Sequence, residues 1–148
     1  MSLDIRLEYR LDLNGDTYID TWLTEPEEED ELWVSVDEVS GLDSQWCSFN
    51  ITHNLGLMAD HCKLYEPLWR PYRLFNISED DEYDTVILAK DIIEYVKTGL
   101  DILRKDKKNL LQYEPDNGWG SYQGLLDFTE RYLECLTKHK NAKIRISR

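Results

Sequence analysis

The chain has 148 residues, a formal net charge of −13, 41% hydrophobic residues, 5 Trp and 9 Tyr. That length fits one domain around a single core, and that composition is a folded globular protein's rather than a disordered one's. A strongly acidic chain lacks the basic footprint of a direct nucleic-acid binder, and no run approaches the roughly 18 to 20 apolar residues that span a bilayer.

The charge is uneven. Residues 1–51 hold 14 acidic and 2 basic side chains, whereas residues 52–148 hold 16 acidic and 15 basic. The acidic third is either a solvated face that keeps the protein soluble or a surface that docks onto a basic partner. The start, Met1-Ser2-Leu3-Asp4-Ile5-Arg6, has no basic region followed by an apolar run, so a soluble, cytoplasmic protein is the expectation. Cys47, Cys62 and Cys135 are odd in number without CxxC spacing, and read as buried thiols.

Ile5, Leu7, Tyr9, Leu11 and Leu13 alternate with Asp4, Arg6, Glu8, Arg10 and Asp12, the period of a half-buried strand. Asn14-Gly15 is a strong two-residue turn signal. It predicts a hairpin over 3–24 with Leu11 opposite Tyr18 and Leu7 opposite Trp22. Asp12, Asn14, Asp16 and Asp20 mimic a calcium loop, but Thr17 stands where that loop needs Gly and Leu23 where it needs a bidentate Glu. Glu25–Glu31 is a charged loop. Leu32, Val34 and Val36 predict a third strand, and Trp46–Ile51 a fourth.

From Thr52 the period changes. Leu55, Met58, Ala59 and Cys62 make the stripe of a short helix. Pro67 and Pro71 bracket an irregular Leu68-Trp69-Arg70, and a second acidic loop runs from Glu79 to Asp84. Ala89, Ile92, Ile93, Val96, Leu100 and Leu103 mark a long helix, closed by basic residues at 104–108 that suit its dipole. After the Gly-rich Asn117-Gly118-Trp119-Gly120, Ser121 is the N-cap of a third helix with Tyr122, Leu125, Leu126, Tyr132, Leu133 and Leu136 inward. The tail over 142–147 alternates again as a final strand. The expected fold is α+β: a mostly antiparallel sheet of N-terminal hairpin, two further strands and C-terminal strand, packed against about three helices. The single domain 1–148 divides into an acidic β region (1–51), a helical region (52–140) and the C-terminal strand (142–147).

Polar groups concentrate at the strand–helix junction, in Asn50-Ile51-Thr52-His53-Asn54. Asn and Thr offer both hydrogen-bond polarities without charge, which suits a polar ligand pocket; the same residues also build a helix cap and its network. His53 is the one general-base candidate, and would need an orienting acid or amide. As metal ligands, His53, Asp60, His61, His139 and the cysteines lack HExxH or CxxC geometry, so neither metal nor other cofactor is expected. The Asn117–Ser121 loop reads as an anion-binding nest or as a tight connection with Trp119 packed as a lid. There is no GxxxxGK[ST] and no GxSxG.

The strings Asn50–Ala59, Leu68-Trp69-Arg70-Pro71, Asn117–Tyr122 and Ile146-Ser147-Arg148 resemble a family of small uncharacterised proteins encoded by bacteriophages and prophages. The likeness covers about residues 45–148; segments 25–43 and 72–84 look longer than usual. It implies an accessory role in the cytoplasm of an infected bacterium and carries no activity with it. The leading expectation is a non-enzymatic binding protein with a polar pocket for a small, nucleotide-like molecule, formed by Asn50, Thr52, His53, Asn54, Asn117, Trp119 and Tyr122. A second is an acidic inhibitor or adaptor on a basic host-protein surface, and a third a hydrolase-type enzyme using His53.

Overall fold

A computed structural model describes residues 1–11, 18–19, 33–36, 47–82 and 84–148. Its organising element is β1 (Ser2–Leu11), where Leu3, Ile5 and Leu7 are buried and Asp4 is exposed, as the alternation requires. Among the described residues four shorter strands pair with it, all antiparallel. Along one edge lie β4 (Ser48–Thr52), opposite Ser2–Arg6, and then β3 (Trp33–Ser35), opposite Glu8–Arg10. Along the other lie β5 (Lys143–Ser147), opposite Asp4–Glu8, and then β2 (Tyr18–Ile19), opposite Arg10–Leu11. The fold is α+β, as expected.

Leu11 faces Tyr18, the register that a turn at Asn14-Gly15 dictates. Trp22, the expected partner of Leu7, lies outside the described residues. Leu7 faces Ile144 of β5 on the β2 edge, and on the other its N–H donates to the Cys47 carbonyl. The C-terminal strand, remote in sequence, takes the edge that local pairing had assigned to the hairpin. The calcium-like residues Asp12–Asp20, the Glu25–Glu31 loop and Trp46 also lie outside the described residues, save for Tyr18 and Ile19 of β2.

One face of the sheet carries the helices. After a 3₁₀ turn at His53–Leu55 come α1 (Gly56–His61) and α2 (Tyr65–Trp69), then a second 3₁₀ turn at Pro71–Phe75. Leu68 and Trp69 are thus helical rather than irregular. Pro67 falls within the first turn of α2, where an amide hydrogen has no partner within the helix. The long α3 (Ala89–Lys105) buries all six apolar residues of its predicted stripe, and Asp91 accepts from the Leu88 N–H at 3.0 Å. A short α4 (Lys107–Leu110) follows. Ser121 caps α5 (Tyr122–Lys138), its Oγ accepting from Gly124 N–H at 3.0 Å; Leu126 and Leu133 are half-buried at the core margin.

Aromatic packing fastens the layers: Phe49 of β4 meets Phe128 and Tyr132 of α5 edge-on, at 5.7 and 5.3 Å between ring centroids. Gly99 admits a close approach to α3, since a Cβ there would sit 2.6 Å from Leu64 Cγ. The start of α3 is sewn to the C-terminal strand by Ala89 N–H to the Ala142 carbonyl (2.8 Å) and Ile144 N–H to the Ile87 carbonyl (2.9 Å). Among the described residues no helix is long and apolar enough to cross a membrane.

Candidate functional site

The junction and the Gly-rich loop do meet. Gly120, at φ +112°, lies so close to the junction that a Cβ on it would stand 2.9 Å from both Thr52 Cγ2 and Leu55 Cγ. At that point the two segments close on each other and leave no space between them. Asn54 is exposed, and the other polar groups are committed one by one. Asn50 projects from the sheet and donates through Nδ2 to Ser2 Oγ (2.8 Å) and Asp4 Oδ1 (2.7 Å). Thr52 caps the 3₁₀ turn, accepting from Asn54 N–H at 3.3 Å. Asn117 accepts from Trp119 N–H at 3.0 Å within its own loop. Tyr122 is buried and donates to the Leu103 carbonyl at 2.6 Å. Trp119, expected as a lid, is 70% exposed.

The nest reading meets a similar obstacle. Two N–H groups at the start of α5 already have acceptors, Tyr122 N–H from the Glu114 carboxylate (2.8 Å) and Gly124 N–H from Ser121. Satisfied donors offer an incoming anion little.

His53 is half-buried, and its Nδ1 accepts from the Trp69 indole N–H at 2.9 Å. Indole only donates, so Nδ1 of a neutral ring carries the lone pair and Nε2 carries the proton. A general base needs a free lone pair, and the only one on this neutral ring is engaged by the Trp69 N–H. Around this contact runs a dense corner. Tyr65 stacks on Trp69 at 5.6 Å, and Arg70 donates to the hydroxyls of Tyr65 (3.2 Å) and Tyr72 (3.1 Å) and pairs with Glu79. Arg148 grips Glu82 through two hydrogen bonds and donates to the Trp69 carbonyl at 2.8 Å. Bonds to the two tyrosines raise the Arg70 pKa and bonds to Glu82 raise that of Arg148, so both cations are held firmly. The second acidic loop is therefore partly spent in fastening the helices. His61 stacks on Tyr113 at 3.9 Å, and His139 Nδ1 bonds the Tyr9 hydroxyl at 2.9 Å, so the three histidines serve three separate contacts.

The opposite face of the sheet is different. There an open cavity of about 320 Å³ is lined by Asp4 and Arg6 of β1, Ser48 of β4, and Arg145 and Ser147 of β5, with Ile5 and Phe49 also reaching it. Cross-strand register creates the grouping: Arg6 faces Ser48 on one side and Arg145 on the other, and Asp4 faces Asn50 and Ser147. Two positions along β1, Glu8 is fully buried, with Oε1 3.5 Å from both Arg6 Nε and Arg145 Nη1. At that length the contacts are ionic. Among the described residues neither Glu8 oxygen, nor Arg6 Nε, has a hydrogen-bond partner. None of the residues read as a pocket lines this cavity; Asn50 is joined to it through its bond to Asp4. Arg6, Glu8 and Arg145 were visible in sequence only as the polar positions of two alternating strands.

Comparison with protein-family models, curated proteins and solved structures gave no match to this chain.

Proposed function

We propose that the protein is a non-enzymatic binding protein that holds a small polar molecule against the outer face of its sheet. The sheet-face cavity carries this reading: it falls within the roughly 300–1,000 Å³ range of small-ligand sites and draws polar side chains from three strands. The tautomer of His53 supports binding over catalysis. The resemblance to phage and prophage proteins supports an accessory role in the cytoplasm of an infected bacterium, with a nucleotide or similar metabolite as the ligand. A thermal-shift screen of nucleotides, cyclic dinucleotides and amino acids tests it. At least one compound should raise the melting temperature of the wild type, and Asp4→Ala or Arg145→Ala should diminish the rise; a flat screen counts against the reading.

A second reading, an adaptor for a basic host surface, is favoured by the exposed 3₁₀ turn Glu79–Asp81, three consecutive acids. Such binding falls steeply with ionic strength, so a host-protein pull-down indifferent to 0.5 M salt, about ten times the ionic strength of a low-salt buffer, argues against it.

A further inference from the structure

Resting on that reading, we infer that the sheet-face cavity takes a small oxyanion, a carboxylate or phosphate group bridging Arg6 and Arg145 above the buried Glu8. The register places the two guanidinium-bearing residues directly opposite each other on β1 and β5. Like charges so placed repel across a sheet. Glu8 offsets that repulsion in part, from 3.5 Å and without a hydrogen bond to either guanidinium. Against Glu8 alone the two cations leave one positive charge in excess; Asp4, which also lines the cavity, balances it, so the lining is neutral as a whole and positive only at its Arg6–Arg145 end.

The side chains of Arg6 and Arg145 are 42% and 57% exposed, so their outward N–H donors are open to solvent. A guanidinium presents those donors as a planar fork that matches the oxygens of carboxylate or phosphate. An oxyanion between them would cancel the residual repulsion and complete both forks. In a chain of net charge −13 the long-range field disfavours any anion. Attraction must therefore come at short range from the donors of the two guanidiniums. At the far end, Asp4 holds the Asn50 amide and offers a carboxylate to a donor on the ligand. Glu8 is a positioning residue here, fixing the guanidiniums from below without touching the ligand.

Calorimetric titration at low salt tests the inference, with inorganic phosphate, AMP and succinate as probes and adenosine and succinamide as uncharged counterparts. At least one anion should bind, its neutral counterpart about tenfold more weakly or worse. Arg145→Ala, at an exposed position that thermal unfolding can verify as folded, should cost about tenfold in affinity, and Arg145→Lys less. Equal binding of neutral and anionic partners, or an anion affinity unchanged in both Arg145→Ala and Arg6→Ala, overturns the oxyanion assignment while leaving the binding role intact. A wild type that binds none of the anions overturns it as well; failure of the wider screen removes the binding role too.

Discussion

Replacing Tyr132 by Phe should stabilise this protein, although it removes a polar group from the centre of the core. Tyr132 is fully buried, and among the described residues its hydroxyl has no hydrogen-bond partner. A buried hydroxyl without a partner costs about 1–3 kcal/mol in lost hydration. Phe preserves the ring, which packs edge-on to Phe49 at 5.3 Å and tilted to Phe128 at 6.0 Å. The void left by one oxygen forfeits part of the gain through lost dispersion contacts. The net expectation is about 1 kcal/mol of added stability, or roughly 2–4 °C in Tm for a chain of this size. Tyr122→Phe is the control. Its hydroxyl donates to the Leu103 carbonyl at 2.6 Å from a buried position, so the same atomic deletion should cost about 1 kcal/mol. Urea unfolding followed by tryptophan fluorescence measures both, with an unchanged m-value required for the comparison. Destabilisation of equal size at the two sites would refute the argument, because hydrogen-bond satisfaction would then not distinguish the two phenols.

Three further outcomes follow from the junction and the core. His53→Ala strands the indole N–H of Trp69, itself 2% exposed, and should lower stability by about 1–3 kcal/mol; His53→Gln, which keeps an acceptor, should recover part of it, and an unchanged urea midpoint for the alanine variant would contradict the contact. Gly120→Ala meets Thr52 and Leu55 at φ +112° and should cost about 2 kcal/mol or more, whereas Gly118→Ala, at φ +76° with nothing within 4 Å, should cost about 1 kcal/mol. Burial pushes the Cys62 thiol up from its ordinary 9.0 to about 11. The unfolded chain therefore releases that proton first, so the stability is whole below about pH 9 and drains away as pH rises towards about 11. Burial raises the Tyr122 and Tyr132 phenols in the same direction. Melting temperatures from pH 8 to 11 should fall, less steeply in Cys62→Ala; a flat profile for the wild type contradicts the assignment.

Elements whose information is local were legible in the sequence. The stripe from Ala89 to Leu103, the Ser121 cap and the Leu11–Tyr18 register each depend on neighbours within a few turns, and each stands where the pattern placed it. What the pattern could not carry was competition between remote segments. Nothing near Leu7 says that Ile144 will lie beside it. The same holds for the candidate site. Proximity of the Asn50–Asn54 and Asn117–Tyr122 segments was anticipated, but whether such segments enclose a space depends on backbone approach at Gly120. The cluster of Arg6, Glu8 and Arg145 arises because the two ends of the chain are adjacent strands, and alternation alone assigns such residues to solvent.

Amide chemical-shift mapping tests the central claim most directly. The wild-type protein, isotopically labelled, is titrated with the anion that binds best in calorimetry. The account predicts that the largest perturbations gather on Asp4, Arg6, Ser48, Arg145 and Ser147, on the face of the sheet away from the helices. Perturbations gathered instead on Thr52–Asn54 and Asn117–Tyr122, with the sheet face silent, would contradict it.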